Sequence, residues 1–182
     1  MNSFLDVVLE RRRGLPILLS VLYLEVARRA GLEATGVALP GHFVVQVNQV
    51  LVDPFNNGKR LTERDAQRIV ARASSSAEFS AQMLKPPSHR AVATRILNNL
   101  KGSWLQRNDT DDALGAVDLL LALSPSHPSE LRLRAGLLME LGAFRAALFD
   151  IETCLRETPP APDHAALLRT ADGLRHRVGQ LH

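Results

Sequence analysis

The stretch that decides the fold is His42-Phe43-Val44-Val45-Gln46-Val47-Asn48-Gln49-Val50-Leu51-Val52-Asp53. Two short runs, Phe43 to Val47 and Val50 to Val52, are rich in β-branched residues and are separated only by Asn48-Gln49. Such runs around a two-residue link read as a β-hairpin. If Val47 pairs with Val50, Val44 stands opposite Asp53 and His42 opposite Phe55. Side chains alternate along a strand, so His42, Val44 and Asp53 share one face. His42 and Asp53 are then diagonal neighbours within side-chain reach. A third run, Thr35 to Leu39, comes before the hairpin, and Pro40-Gly41 breaks it. The expectation is a small antiparallel sheet.

On the N-terminal side, Ile17 to Ala30 is apolar on nearly every helical face. Pro16 suits the first helical position, and Gly31 ends the run. A helix of this kind is expected to be buried on most faces, at the centre of the first unit. Residues 3–12 read as a shorter helix with Ser3 as N-cap and Gly14 as its stop. On the C-terminal side, Asn56-Asn57-Gly58 is a turn, and Thr62 caps a helix to about Ala73. Ser74-Ser75-Ser76 and Pro86-Pro87-Ser88 bracket a poorly patterned connector. The unit boundary is expected there, giving units 1–85 and 86–182.

The second unit contains an internal repeat. Ala113 aligns with Ala147, Leu114 with Leu148, Val117 with Ile151, Leu120 with Cys154 and Pro125 with Pro159, each at an offset of 34 residues. That is the tetratricopeptide period, with small residues at helix contacts and a proline closing each repeat. Helices are expected near 91–107, 110–123, 129–141, 143–157 and 164–178. The fold class is α+β: a buried helix with a small antiparallel sheet, followed by an all-α repeat unit.

Composition narrows the function classes. With 46% hydrophobic and 23% charged residues, the 182-residue chain is too apolar to be disordered. Cys154 is the single cysteine, which excludes a disulfide scaffold and a zinc site built on cysteine pairs. Its place opposite Leu120 in the repeat reads as a small buried apolar residue. His89, His127, His164, His176 and His182 show no metal-ligand spacing. No cofactor motif or metal site is expected. The first 90 residues carry 12 basic against 8 acidic side chains, and the remainder 10 against 11. Arg11-Arg12-Arg13 is the one basic run, at a helix end where cations suit the dipole. With eight aromatic residues and no basic stripe among them, direct nucleic-acid binding is not expected. The apolar runs are too short to span a bilayer, and no leader pattern opens the chain. A cytoplasmic location is the expectation.

The layout of buried helix, strand, strand beginning with His and strand ending in Asp resembles the core of the transglutaminase-like superfamily. More closely, Asn2-Ser3, Val8-Leu9-Glu10-Arg11-Arg12, Gly14-Leu15-Pro16-Ile17, Leu39-Pro40-Gly41-His42-Phe43 and Asp53-Pro54-Phe55 resemble the SirB-type proteins. These bacterial proteins join a transglutaminase-like domain to tetratricopeptide repeats, and Leu97-Asn98-Asn99-Leu100-Lys101 is similar to their linking helix. The resemblance implies a regulatory protein. It also implies a further helical segment before Asn2-Ser3. Papain-like members of the superfamily use Cys, His and Asp; His42 matches the histidine and Asp53 the aspartate. The nucleophilic cysteine should start the buried helix about 15 residues before the glycine that ends it, and that position is Pro16.

Two readings of His42 and Asp53 follow. As a degenerate catalytic dyad, the carboxylate fixes the imidazole tautomer and the free nitrogen acts as a base. As a structural pair, the two tie neighbouring strands together, with Asp53 capping the following turn. Ser20, one turn after Pro16, is the aliphatic hydroxyl on the buried helix. It is either a substitute nucleophile or a hydroxyl bonded to a carbonyl one turn back. The expected function is a non-catalytic protein-interaction module, a pseudoenzyme whose partner is a protein or peptide. The alternative is a hydrolase or acyltransferase using His42 and Asp53 with a nucleophile other than cysteine.

Overall fold

A computed structural model describes residues 4–73, 78–157 and 162–180. The elements are α1 (Leu5–Arg11), α2 (Pro16–Arg29), β1 (Ala34–Leu39), β2 (His42–Val47), β3 (Val50–Asp53), β4 (Lys59–Leu61) and α3 (Glu63–Ala73). They continue with α4 (His89–Leu105), α5 (Thr110–Leu123), α6 (Pro128–Glu140), α7 (Phe144–Glu157) and α8 (His164–Gly179). Short 3-10 turns cover Pro54–Asn56 and Ala81–Leu84. The chain forms two compact units, 1–96 and 97–182, so the division falls inside α4.

In the first unit the sheet order is β1-β2-β3-β4, all antiparallel. Val47 pairs with Val50 and Val45 with Val52, the register that puts His42 and Asp53 on one face. Asn48 and Gln49 both have positive φ, 45° and 67°. That is the backbone of a type I′ hairpin turn, whose twist matches the strands it joins. The sheet is covered on both faces. Val37, Leu39, Val44 and Leu51 pack against Ala66 and Val70 of α3. On the other face Phe43 packs with Val8 of α1 and with Ile17 and Leu18 of α2. Gly41, before His42, has φ +68°, and a Cβ there would lie 2.8 Å from the Cβ of Ala73. Glycine thus lets the end of α3 close directly over the β1–β2 turn. Thr62 caps α3 reciprocally: its Oγ accepts from the Asp65 N–H, and its own N–H donates to the Asp65 carboxylate at 3.0 Å.

Several expectations need correcting. α2 is not buried on most faces: Val26 is 60% and Tyr23 37% exposed. A helix laid on one sheet face buries a single stripe, and apolar composition overstated the rest. α1 ends with Arg12 in the left-handed region, φ 53°, and not at Gly14. Gly14 instead permits close approach, since a Cβ there would lie 2.8 Å from Val8. β4 was not foreseen, because three residues, two of them basic, give no strand signal. Within the poorly patterned connector, Phe79, Met83 and Leu84 pack on the core formed by the sheet and α3. The Ser3 cap, Ser74-Ser75-Ser76, Pro159 and His182 lie outside the described residues.

The second unit follows the 34-residue alignment. Ala113 and Ala147 are fully buried, as is Cys154, and Val117, Leu120 and Ile151 are buried beside them. The sequence pattern did not reveal the polar tie between helices. Arg134 of α6 donates two hydrogen bonds of 2.7 Å to Asp150 of α7 and one of 2.7 Å to Asp118 of α5. Asp150 is buried, and its carboxylate holds the Arg134 pKa above the ordinary guanidinium value.

Ala113 is fully buried within a core cluster, so Ala113→Leu should overpack the α5 contact and lower stability by about 1–3 kcal/mol. Urea denaturation measures this. An unchanged midpoint would mean that the equivalent small positions do not set the helix spacing.

Candidate functional site

The site is built around one carboxylate. Asp53 ends β3 and is 1% exposed. Its Oδ2 lies 2.9 Å from His42 Nε2 and accepts from Asn56 Nδ2 at 2.7 Å. Its Oδ1 accepts from the backbone N–H groups of Phe55 at 3.0 Å and Asn56 at 3.2 Å. Asp53 is therefore the N-cap of the Pro54–Asn56 turn as well as the partner of His42. A carboxylate only accepts, so the neutral imidazole carries its proton on Nε2 and leaves Nδ1 as an acceptor. The Phe55 ring meets the His42 ring edge-on, with centroids 5.8 Å apart. The His42 side chain retains 13% exposure.

A second brace comes from α4. Arg95 Nη1 donates to the carbonyl of Leu39 at 2.9 Å, and its guanidinium lies over the Phe43 ring, 5.6 Å from the centroid. Leu39 is the register partner of His42. Arg95 thus fixes the turn that presents the histidine, and burial holds its pKa below the ordinary value. Sequence reading passed over Arg95. Its only signal is a cation set between Val92 and Ile96 on an otherwise apolar helical stripe.

His42 opens onto a cleft of about 370 Å³ lined by Pro40, Gly41, Phe55, Asn56, Ile69, Arg72 and Ala73. Among these described lining residues there is no hydroxyl or thiol. Ser20 does not reach the site. Its Oγ donates to the carbonyl of Phe43 at 3.1 Å, fully buried on the α2 face of the sheet. It bonds across to β2, not one turn back along its own helix. The link from α2 to β1 is short and α2 touches the Pro54–Asn56 turn, so the Pro16 end of α2 lies toward the His42 end of the sheet. Pro16 is nevertheless not among the cleft's lining residues. Cys154 is buried in the second unit. No group of three or more His, Cys, Asp or Glu among the described residues could hold a metal. No helix among them is long and apolar enough to cross a membrane.

The sequence pattern of the transglutaminase-like superfamily matches residues 1–98. The chain belongs to that superfamily. A tetratricopeptide-repeat pattern matches residues 100–171, so the second unit is a repeat unit of that kind. A UPF0162 protein of Xylella fastidiosa is 37% identical over 169 residues, covering 87% of this chain and 59% of that protein. Protein SirB1 of Salmonella typhimurium is 25% identical over 185 residues, covering 98% of this chain and 68% of that protein. The likeness to SirB-type proteins therefore runs through both units. F-box only protein 21 of Mus musculus is 30% identical over 158 residues, 78% of this chain and 24% of that protein. The chain spans 59% of the length of its Xylella relative. No solved structure matches it.

The geometry ranks the two dyad residues. Asp53→Ala removes the acceptor of three donors besides His42, the N–H groups of Phe55 and Asn56 and the Asn56 amide, and should cost about 2–3 kcal/mol. His42→Ala removes one bond and leaves the cap intact, so it should cost about 1–2 kcal/mol. Equal losses in urea denaturation at neutral pH would contradict the hub role of Asp53.

Proposed function

We propose that this is a non-catalytic interaction protein, in which a transglutaminase-like cleft and a repeat unit both serve recognition. The observation that carries this reading is the chemistry of the cleft. The described residues lining the cleft at His42 offer no hydroxyl or thiol, and Ser20 of α2 is committed to a backbone carbonyl. Without a hydroxyl or thiol beside it, the pair can orient a ligand or hold a strand end, but it lacks the group on which a papain-like acyl intermediate forms. Pro16, at the start of α2, stands where the superfamily layout would carry its cysteine. The partner is a protein or peptide, and a regulatory role in the cytoplasm goes with this reading. The second reading is a hydrolase or acyltransferase that uses His42 as general base on a bound water. It is favoured by the intact contact to Asp53, which leaves Nδ1 as an acceptor.

The separating experiment has two arms. In the first, the purified protein is incubated with peptide, ester and amide substrates, and turnover is compared with that of His42→Ala. The proposal expects no turnover dependent on His42; a saturable activity lost in His42→Ala would establish the second reading. In the second arm, quantitative capture from a bacterial lysate should return the same specific protein partner with the native chain and not with a variant disrupted at Phe149, 62% exposed on α7. Absence of any specific partner would contradict the interaction role.

The assignment of Pro16 has its own test. A helix N-terminus offers free N–H groups and a positive dipole end, both of which stabilise a thiolate. Pro16→Cys should therefore be alkylated near neutral pH faster than buried Cys154, and His42→Ala should slow the reaction. An inert thiol at this position would show that Pro16 does not stand in the nucleophile's place.

A further inference from the structure

The cleft at His42 does not end there. A second cleft of about 320 Å³ lies between β4 and α3, and Asn56, Ile69 and Arg72 line both. Through these shared residues the two clefts adjoin along α3, their linings running from the Pro40-Gly41 turn to Lys59 and Leu61, and we treat them together as a groove. Its floor is apolar, with Ile69, Leu61 and the half-exposed ring of Phe55, which is 48% exposed. Its charged groups are Lys59, Arg68 and Arg72 against Asp53 and Asp65. The two carboxylates already have internal roles. Asp53 accepts bonds from His42, Phe55 and Asn56, and Asp65 accepts from the N–H and hydroxyl of Thr62. Arg68 lies 3.4 Å from Asp65 and is partly neutralised by it. Arg72 is exposed, lines both halves of the groove and has no ion-pair partner among the described residues. Lys59 and Arg68 both act on the Asp65 carboxylate; with three cations against two carboxylates the groove keeps a net positive charge, and Arg72 is the cation left beside its apolar floor.

We propose that this groove docks an acidic peptide segment of a partner protein, with Arg72 at its centre and Lys59 at one end. This rests on the interaction reading and names where and what the first unit recognises. Guanidinium groups pair with carboxylates in bidentate geometry, so Arg72 is suited to a glutamate or aspartate side chain. The apolar floor suits the side chains between those acids, since alternate residues of an extended peptide face one surface. A single-stranded nucleic acid would need stacking platforms as well as cations, and among the described lining residues Phe55, with the His42 ring edge-on to it, is the one Phe, Tyr or Trp.

The test uses the full chain and a short fluorescein-labelled peptide alternating glutamate and leucine, read by fluorescence anisotropy at low salt. The expected result is saturable binding about tenfold tighter than for the glutamine–leucine twin. Arg72→Glu and Lys59→Glu should each weaken binding about tenfold, while Arg169→Glu, an equal charge change on α8, should not. All three side chains are exposed, so thermal melting should show unchanged folding in each variant. Equal binding of the glutamine twin, indifference to Arg72→Glu, or displacement of the peptide by a single-stranded oligonucleotide at lower concentration would each overturn the proposal. Efficient displacement by inorganic phosphate would also overturn it, by showing a bare anion site. Mass spectrometry of the recovered peptide separates this proposal from the reading beneath it. A cut peptide would end the non-catalytic reading and leave the docking site standing. An intact peptide that never binds would end the docking site alone.

Discussion

The carboxylate of Asp53 is the constraint on which the first unit depends. It sits where β3 stops and the chain must turn, and it is almost wholly shielded from water. A buried charge in that position is tolerable only when fully hydrogen-bonded. The bonds it accepts define the local structure: the backbone N–H groups of Phe55 and Asn56 set the turn, and the His42 ring ties β2 to β3. The same carboxylate explains why Phe55 stands half-exposed beside the imidazole, since the cap dictates the course of the chain there. Asp53 thus has a sufficient structural role in the turn and the strand pairing, whatever chemistry the cleft performs.

Around this point the sheet, α3 and α4 converge on the Pro40-Gly41 turn from different directions. The end of α3 closes over Gly41, where any side chain would collide with Ala73. Arg95 holds the Leu39 carbonyl from the other side. His42 is therefore fixed through its backbone as well as its ring, while its cleft remains open. Among the described residues that line this cleft there is no hydroxyl or thiol. The second unit uses a different principle: fully buried alanines set the helix spacing, and one arginine ties three helices through two aspartates.

Much of this is legible in the sequence, for identifiable reasons. The hairpin register follows from two β-branched runs and a two-residue link, so the meeting of His42 and Asp53 can be read before any coordinates. The repeat follows from its 34-residue period, because small residues recur wherever helices touch. What was not legible depends on contacts distant in sequence. Arg95 lies 56 residues from Leu39, and no local pattern links them. Ser20 reads in sequence as a substitute nucleophile or a hydroxyl bonded one turn back along its helix, but its partner is the Phe43 carbonyl on β2. β4 is too short and too basic to register as a strand. The exposure of Val26 was missed because composition reports hydrophobicity, not which face the sheet covers. Arg72 entered no sequence argument, since a basic residue in the last turn of a helix already has a sufficient local explanation.

The most direct test of the hub is the position of the imidazole proton. Long-range nitrogen–proton NMR correlation on the His42 ring, at a pH where it is neutral, distinguishes the tautomers. The account predicts a proton on Nε2, held in slow exchange by Asp53 and released in Asp53→Ala. A proton on Nδ1, or a ring averaging between tautomers in the native protein, would contradict it.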